Sequence, residues 1–243
     1  MSQSVCAIVG AGAGLGQALA AKFAREGMAV GLISRTAAGS AVALAAAHRA
    51  APTTPVACYS ADARDPASLE AAFTQLSQAL GPVECLIYNA RGGYDLRAPL
   101  AMSYIELEDI YRLEVIGAFA AAKAVMPGMI ARGHGTVIYS SATAALRGSA
   151  TNPLYAIGKF GLRALAQSLA KAYAKDGVHV AHVRLDCTLD VPLVRDYLGD
   201  QFDAADTSNT DDVAQSYWWI QQQPRSAWSN EIELRPYTEN WTY

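Results

Sequence analysis

The chain has 243 residues, of which 52% are hydrophobic and 17% charged, and its formal net charge is −3. A chain of this length buries enough surface to fold without stabilising disulfide bonds or metal ions. The composition excludes a disordered or disulfide-rich protein. Because acidic residues outnumber basic ones and no cluster of Lys and Arg occurs, no nucleic-acid partner is expected.

Short apolar runs alternate with Ala-rich stretches along the chain. The predicted strands are Val5–Val9, Ala29–Ile33, Val56–Tyr59, Val83–Tyr88, Gly135–Tyr139, Val178–Arg184 and Glu231–Leu234. The predicted helices are Leu15–Glu26, Ala37–Arg49, Pro66–Leu80, Ile105–Arg132 and Pro153–Lys175. The strands are apolar along their whole length, which is typical of a parallel sheet covered by helices on both faces. The pattern predicts one α/β domain over residues 1–243, a doubly wound parallel sheet of seven strands.

Two segments stand apart from this alternation. Residues 186–212, which follow a predicted strand, are expected to form a substrate loop, the alternative being an irregular surface connection. Residues 217–243 are too aromatic for a frayed tail and are expected to dock on the body or on a neighbouring subunit. The side chains that indicate docking are Trp218, Trp219, Trp228, Arg235, Pro236, Tyr237 and Trp241.

The cysteine and histidine patterns bear on the compartment and on metals. The cysteines lie far apart without a CxxC pair: Cys6, Cys58, Cys85 and Cys187. Reduced thiols and a cytoplasmic location are therefore expected. His179 and His182 lie three residues apart on a predicted strand and no HExxH motif occurs, so no metal site is expected. No membrane partner is expected either, since glycines interrupt the apolar run from Val5 to Ala21.

A glycine-rich turn follows the first predicted strand and opens the first predicted helix. Within it, Gly10, Gly14, Leu15 and Gly16 are candidates to bind a dinucleotide. Glycine allows positive φ and lets backbone N–H groups approach a pyrophosphate, while the helix N-terminus adds partial positive charge. The alternative is a tightly packed turn without a ligand.

The end of the second strand bears on the choice of nucleotide. NAD sites often place a carboxylate there to bind the ribose 2′-hydroxyl, whereas this chain has Ser34 and Arg35. A guanidinium can pair with a 2′-phosphate, which predicts NADP(H). NAD remains the alternative, because Arg35 could equally be a solvated charge.

Tyr155 and Lys159 are four residues apart near the start of a predicted helix, so both side chains lie on one face. A tyrosine phenol ordinarily ionises near pH 10, too high for a base at neutral pH. An ammonium about 4 Å away contributes up to about 4 kcal/mol toward the phenolate, and desolvation opposes it. Just upstream, Ser140 and Ser141 end an apolar strand, where a hydroxyl can hold a substrate oxygen.

In this order along the chain, the glycine turn, Ser141, Tyr155 and Lys159 resemble the short-chain dehydrogenase/reductase family, whose fold is a Rossmann fold. The resemblance matches Gly10, Gly14 and Gly16 to the family's glycines. It implies that Asp62, followed by Ala63, contacts the adenine ring. It also matches Asn89 and Ala90 to the segment after the fourth strand.

The resemblance implies hydride transfer between a nicotinamide cofactor and a carbonyl or alcohol carbon. Tyr155 would then act as the acid/base, Lys159 would hold the nicotinamide ribose and favour the phenolate, and Ser141 would hydrogen-bond the reacting oxygen. Thr143 is a competing hydroxyl two residues further on.

The chain departs from the family pattern at three places. Glu114 stands where the family usually has an asparagine that anchors a water chain to the lysine, and it would either relay protons or pair with Lys159. Leu185-Asp186 replaces a Pro-Gly pair, and Val9 replaces a threonine. These departures leave two alternatives to an oxidoreductase: a cofactor-binding protein without turnover, and a non-oxidative cyclase or isomerase.

A mainly apolar pocket with one or two cations is expected around a small-molecule substrate. Its expected neighbours are Arg91, Tyr94, Leu96, Arg147, Leu189, Leu193 and Tyr197. The resemblance also implies a homodimer or homotetramer formed through two long helices. Alanines 118, 120, 121 and 122 would allow these helices to approach closely.

Overall fold

A computed structural model describes residues 3–93 and 95–239. Tyr94 and Trp241, two of the residues expected at the pocket and in the aromatic segment, lie outside these ranges. The strands are β1 Val5–Val9, β2 Ala29–Ser34, β3 Val56–Ser60, β4 Val83–Tyr88, β5 Gly135–Ala142, β6 Val178–Leu185, β7 Thr188–Asp190, β8 Thr207–Asn209 and β9 Glu231–Leu234. The helices are α1 Leu15–Arg25, α2 Ala37–Ala50, α3 Pro66–Leu80, α4 Tyr104–Tyr111, α5 Gly117–Arg132, α6 Pro153–Tyr173, α7 Pro192–Leu198 and α8 Thr210–Gln221.

The main sheet has seven parallel strands in the order β3-β2-β1-β4-β5-β6-β9, which confirms the predicted fold class. The direction of strand order reverses between β1 and β4, and ligands of such sheets bind at the carboxyl ends of the strands near this point. One face of the sheet packs against α3, α5 and α6, and the other packs against α1, α2 and α8. The cavity described below lies at this carboxyl edge.

Local signals in the sequence explain where several elements begin. Asp65 caps α3 by accepting a hydrogen bond from the backbone N–H of Ala67 at 3.0 Å, and Pro66 occupies the first turn, as predicted. Three of the seven predicted strands are found with the predicted bounds, and the other four are longer by one to three residues. The substrate-loop segment contains a second, two-stranded sheet of β7 and β8 and the short helix α7, which the sequence did not predict.

The predicted helix Ile105–Arg132 is interrupted, since α4 passes into a π-helical turn, Arg112–Ile116, before α5 begins. The combined helix Tyr104–Arg132 is long and apolar enough, by length and composition, to cross a membrane. Half of its most apolar window is buried, and α5 packs against the sheet through a row of apolar side chains. These contacts are those of a core helix.

The aromatic C-terminal segment packs on the body of the protein. The Trp228 ring stacks on His179 at 4.8 Å between centroids, and Trp218 meets the Phe23 ring edge-on at 5.4 Å. In β9, the Glu231 carboxylate accepts hydrogen bonds from Arg163 at 2.7 Å and Gln167 at 2.6 Å, both on α6. β9 pairs with β6 in the sheet, and the ring contacts and ion pair hold the surrounding segment on the body of the protein.

His182, on β6, is fully buried, and neither ring nitrogen has a hydrogen-bond partner among the described residues. Burial lowers its pKa from 6.5 to about 4. The unfolded chain therefore binds a proton at a higher pH than the folded chain. The stability that this difference contributes is present above pH 6.5 and is lost as the pH falls toward 4.

We expect the free energy of unfolding to fall by about 1 kcal/mol per pH unit across this range because of His182. The substitution His182→Leu should flatten that slope in urea unfolding experiments. His48→Leu, at an exposed position of α2, is the matched control and should leave the slope unchanged. Equal slopes in wild type and His182→Leu would contradict this assignment.

Candidate active site

The glycine turn between β1 and α1 packs closely against the residues that follow β4. Gly10 has φ of +86°, and a Cβ there would lie 2.5 Å from the Ala90 nitrogen, so no side chain is tolerated. Asn89 Nδ2 donates to the Gly10 carbonyl at 3.1 Å, which ties the turn to the end of β4. Gly14 is the N-cap of α1 and provides no side-chain cap, so the first-turn N–H groups at Leu15 and Gly16 remain available to an anion. These features fit a dinucleotide pyrophosphate.

The residues predicted to lie near the ribose 2′-position of the cofactor are at the carboxyl end of β2. Ser34 Oγ donates to the Thr36 carbonyl at 2.7 Å and shares a hydrogen bond with Ser40. Thr36 caps α2 by accepting from the Gly39 N–H, and Arg35 is exposed beside that helix start. An exposed guanidinium at a helix N-terminus is suited to bind a phosphate group.

The predicted adenine-binding acid lies in the turn before α3. Asp62 Oδ1 accepts from the Arg64 N–H at 2.9 Å, and the neighbouring Ala63 is buried. The carboxylate is half-exposed and lies 3.8 Å from the Arg64 guanidinium. This turn follows β3, at the same edge of the sheet as the glycine turn.

A cavity of about 910 Å³ extends along the carboxyl edge of the sheet. The predicted site residues that line it are Gly14, Leu15, Asn89, Ser141, Tyr155 and Lys159. Of the predicted pocket neighbours, those on its wall are Arg91, Arg147, Leu189, Leu193 and Tyr197. The prediction for Leu96 is wrong, because Leu96 lies in an exposed segment before α4 and outside the lining.

The three candidate hydroxyls near Tyr155 have different partners. Ser140 Oγ accepts a hydrogen bond from the Tyr217 hydroxyl at 2.8 Å. Thr143 Oγ1 bonds to an Asp186 oxygen, and since an ionised carboxylate only accepts, the Thr143 proton is committed to this bond. Ser141 Oγ is buried and has no partner among the described residues. Ser141 is thus the hydroxyl best placed to bind a reacting oxygen.

Lys159 and Glu114 form a buried ion pair. Lys159 Nζ donates to Glu114 Oε2 at 2.9 Å and to the Ser140 carbonyl at 3.2 Å, and lies 5.6 Å from the centre of the Tyr155 ring. Glu114 is fully buried, and its other oxygen accepts the Gly92 N–H at 2.9 Å. Of the two alternatives for Glu114, the structure has the pair with Lys159. The carboxylate also offsets part of the field that the ammonium exerts on the phenol.

The helix interruption and a glycine explain how Glu114 reaches this position. Glu114 lies in the π-helical turn, whose Leu113 carbonyl accepts a hydrogen bond from the buried Tyr88 hydroxyl. A Cβ on Gly158 would lie 2.8 Å from Glu114 Cγ, so α6 approaches the carboxylate this closely only because residue 158 is glycine. Burial is the main reason that the pKa of Tyr88 is raised, which keeps its hydroxyl a donor.

A second network of charged side chains borders the cavity after β6, where Leu185-Asp186 replaces the family's Pro-Gly pair. Asp186 Oδ2 accepts from Arg235 Nη2 at 2.6 Å, and Arg235 also pairs with Glu233 on β9. The Asp186 N–H donates to the Leu234 carbonyl at 2.9 Å. Arg235, which directly follows β9, therefore provides the opposite charge to the Asp186 carboxylate that borders the cavity.

Sequence reasoning missed several residues of this site, namely Tyr217, Arg235 and Asn152. Tyr217 and Arg235 contact the site from distant parts of the chain, so no local pattern marks them. For Asn152 a signal exists, since Pro153 predicts the first helical turn and thereby places Asn152 at the N-cap, three residues before Tyr155. Within residues 3–93 and 95–239, no group of three or more His, Cys, Asp or Glu is arranged to hold a metal ion.

Comparison with known proteins places this architecture among related chains. A sequence profile of the short chain dehydrogenase family matches residues 4–197. Levodione reductase of Leifsonia aquatica is 27% identical over 176 residues, which are 72% of this chain and 66% of that protein, just under two thirds of its length.

Two solved structures share the fold. A short-chain dehydrogenase from Rhodopseudomonas palustris is 29% identical, with 96% of this chain and 99% of that chain covered and a TM-score of 0.81. L-Sorbose reductase from Gluconobacter frateurii, solved with NADPH and L-sorbose, is 19% identical, with 97% and 96% covered and a TM-score of 0.85.

Proposed function

The chain belongs to the short-chain dehydrogenase family and is an NAD(P)-dependent oxidoreductase, and on that premise we propose that it transfers a hydride between NADP(H) and the carbon of a carbonyl or secondary alcohol. The observation that carries the proposal is that Ser141, Tyr155 and Lys159 border one cavity, which also reaches the glycine turn. The substrate is a small molecule that enters this cavity.

The proton chemistry is carried by the chain's own residues. In reduction, the Tyr155 hydroxyl donates its proton to the oxygen that gains negative charge, and in oxidation the phenolate accepts that proton. The Ser141 hydroxyl donates a hydrogen bond to the same oxygen, and its lack of another partner within residues 3–93 and 95–239 supports this role. Such a donor favours the charged transition state over the neutral carbonyl.

Lys159 has three N–H donors, and Glu114 and Ser140 account for two of them. The remaining donor is proposed to hold the nicotinamide ribose. The Lys159 ammonium lies 5.6 Å from the centre of the Tyr155 ring. Glu114 fixes the position of this ammonium.

The proposed cofactor is NADP(H), with Gly10, Gly14, Leu15 and Gly16 at the pyrophosphate. Ser34 and Arg35 would bind the 2′-phosphate, while Asp62, Ala63, Asn89 and Ala90 would border the adenosine and the ribose. The NADPH named with the L-sorbose reductase structure supports this choice.

We expect the wild type to bind NADPH about tenfold tighter than NADH, since a charge-assisted hydrogen bond from Arg35 acts only on the phosphate. Arg35→Ala should abolish this preference in fluorescence titrations. Arg49→Ala, near the far end of α2, is the matched control. A tenfold preference of the wild type for NADH would contradict the proposal.

The oxidoreductase is distinguished from its alternatives by following NADPH consumption and product together over a panel of ketones. We expect NADPH loss to equal alcohol formed. Binding without consumption would favour the cofactor-binding protein, and product without consumption would favour a cyclase or isomerase. Either result would overturn the proposal.

A homodimer or homotetramer remains a proposal. The prediction that the α5 alanines line a helix–helix contact is wrong for Ala118, Ala121 and Ala122, which are buried against the sheet. Phe119 on α5 and the side chains of Ile157 and Phe160 on α6 are exposed instead and are proposed to form the contact. Light scattering tests the assembly, and a monomer would contradict it.

We also propose a reducing, cytoplasmic compartment. The supporting observation is that Cys6, Cys58, Cys85 and Cys187 are all free thiols. Cys6 and Cys85 occupy neighbouring positions on β1 and β4, and burial raises the pKa of the Cys6 thiol well above 9.0.

A further inference from the structure

Asn152 is the N-cap residue of α6, yet its side chain makes no capping hydrogen bond. Asparagine is among the residues most favoured at this position because its side-chain oxygen usually satisfies a free N–H group of the first turn. In this chain, Ser149 Oγ accepts from the N–H of Thr151 at 3.2 Å and of Asn152 at 2.8 Å. Ser149 therefore orders the segment before α6, and the Asn152 side chain is left for another use.

The Asn152 amide is also buried without a partner. The residue is 6% exposed, and its Nδ2 has no hydrogen-bond partner among the described residues. A buried donor left unsatisfied costs about 1–3 kcal/mol, so such groups usually have a partner that the folded chain alone does not supply. Asn152 borders the cavity, which is where such a partner can bind.

Asn152 lies at the same end of α6 as Tyr155, which is proposed to exchange a proton with the reacting oxygen. It precedes Tyr155, in the first turn of α6, by three residues, and both residues line the cavity. It lies in the segment between β5 and α6, together with Arg147, Gly148 and Ser149 on the cavity wall. The glycine turn and Asn89, proposed for the cofactor, follow β1 and β4, whereas Lys159, proposed for the nicotinamide ribose, lies on α6 seven residues after Asn152.

We propose that Asn152 is a specificity-determining residue whose Nδ2 donates a hydrogen bond to a second oxygen of the substrate, on the carbon next to the reacting carbonyl. This inference rests on the proposed function for its placement of the reacting carbonyl at Tyr155 and Ser141. The substrate class is then a vicinal dioxygenated compound, such as a 1,2-diketone. A plain ketone leaves the Asn152 donor without a partner.

The test compares 1-phenylpropane-1,2-dione with 1-phenylpropan-1-one, which lacks the second oxygen. Calorimetry on the protein saturated with NADP⁺ measures Kd for each probe without turnover, since the oxidised cofactor has no hydride to give. We expect the dione to bind about tenfold tighter than the monoketone. In the nearly isosteric variant Asn152→Asp, which lacks the NH₂ donor, this ratio should fall to about one or below.

Thr151→Ala, at an exposed neighbouring position outside the cavity lining, is the matched control and should keep the wild-type ratio. The Kd for NADP⁺ of Asn152→Asp should stay at the wild-type value. A weaker Kd for NADP⁺ would assign Asn152 to the cofactor site and overturn the proposal. An equal ratio in wild type and Asn152→Asp, or no binding of either probe, would also overturn it.

Turnover with NADPH separates this proposal from the proposed function. Preferential binding of the dione without any reduction would leave the Asn152 subsite standing and contradict the oxidoreductase. Reduction of both probes without a binding preference would leave the oxidoreductase standing and contradict the subsite.

Discussion

Replacing Tyr155 with phenylalanine is expected to lower kcat for ketone reduction by about 10²–10⁴-fold, the usual contribution of a positioned general acid. The substitution removes only the hydroxyl, and the Lys159–Glu114 pair and the Ser141 hydroxyl remain in place. The Kd for NADPH and the melting temperature should therefore stay close to wild type. Steady-state kinetics and fluorescence titration measure the two effects separately.

Tyr173→Phe is the matched control for this experiment. Tyr173 is the last residue of α6, the helix that begins with Tyr155 in its first turn, and it lies outside the cavity lining. Removal of the Tyr173 hydroxyl should leave kcat unchanged. Undiminished turnover in Tyr155→Phe would remove this residue from the chemistry, whatever happens to cofactor binding.

Replacing Glu114 with alanine is expected to lower the free energy of unfolding by about 3–5 kcal/mol, the usual cost of removing one partner of a buried ion pair. Lys159 would remain 2% exposed with its charge uncompensated, and the Gly92 N–H would lose its acceptor. Equilibrium unfolding in urea measures the difference.

Two further variants test whether breaking the buried ion pair causes the loss of stability in Glu114→Ala. Glu108→Ala removes an exposed carboxylate that pairs with Arg112 on the adjoining turn, and such surface pairs contribute at most about 1 kcal/mol. The double variant Glu114→Leu with Lys159→Met removes both buried charges and should recover much of the lost stability. Equal losses of unfolding free energy for Glu114→Ala and Glu108→Ala would show that the buried pair contributes no more to stability than the exposed pair.

The sheet and the glycine turn were predictable because their signals are local. An apolar run such as Val83–Tyr88 marks a buried parallel strand, and the glycines after Val9 mark the turn that follows it. The spacing of Tyr155 and Lys159 likewise places both on one helical face. Each of these features is decided by residues within a few positions of one another.

The local pattern alone could not show which of the three hydroxyls lacks a partner, although the family resemblance already pointed to Ser141. Ser140 is occupied by Tyr217, 77 residues away, and Thr143 by Asp186, 43 residues away. Because of these distant contacts, Ser141 is the one of the three without a partner among the described residues. The same holds for Asp186, whose charge is compensated by Arg235 from the C-terminal segment.

The helix interruption at Glu114 also escaped prediction. The backbone hydrogen bonds of a π-helical turn span one residue more than those of an α-helix, and the apolar periodicity of Ile105–Arg132 does not reveal this difference. Its position depends on packing, since the Tyr88 hydroxyl holds the Leu113 carbonyl and Gly158 admits the carboxylate. The sequence marked Glu114 as unusual but left its partner open between a proton relay and Lys159.

The decisive measurement follows the hydride itself. NADPH carrying deuterium at both positions of the nicotinamide C4 is incubated with the protein and 1-phenylpropane-1,2-dione, and the product is analysed by mass spectrometry and NMR. If the protein transfers the hydride, we expect an alcohol with one deuterium on its carbinol carbon and one NADP⁺ formed per alcohol. An alcohol without deuterium, or no alcohol from this dione or any ketone of the panel, would contradict hydride transfer.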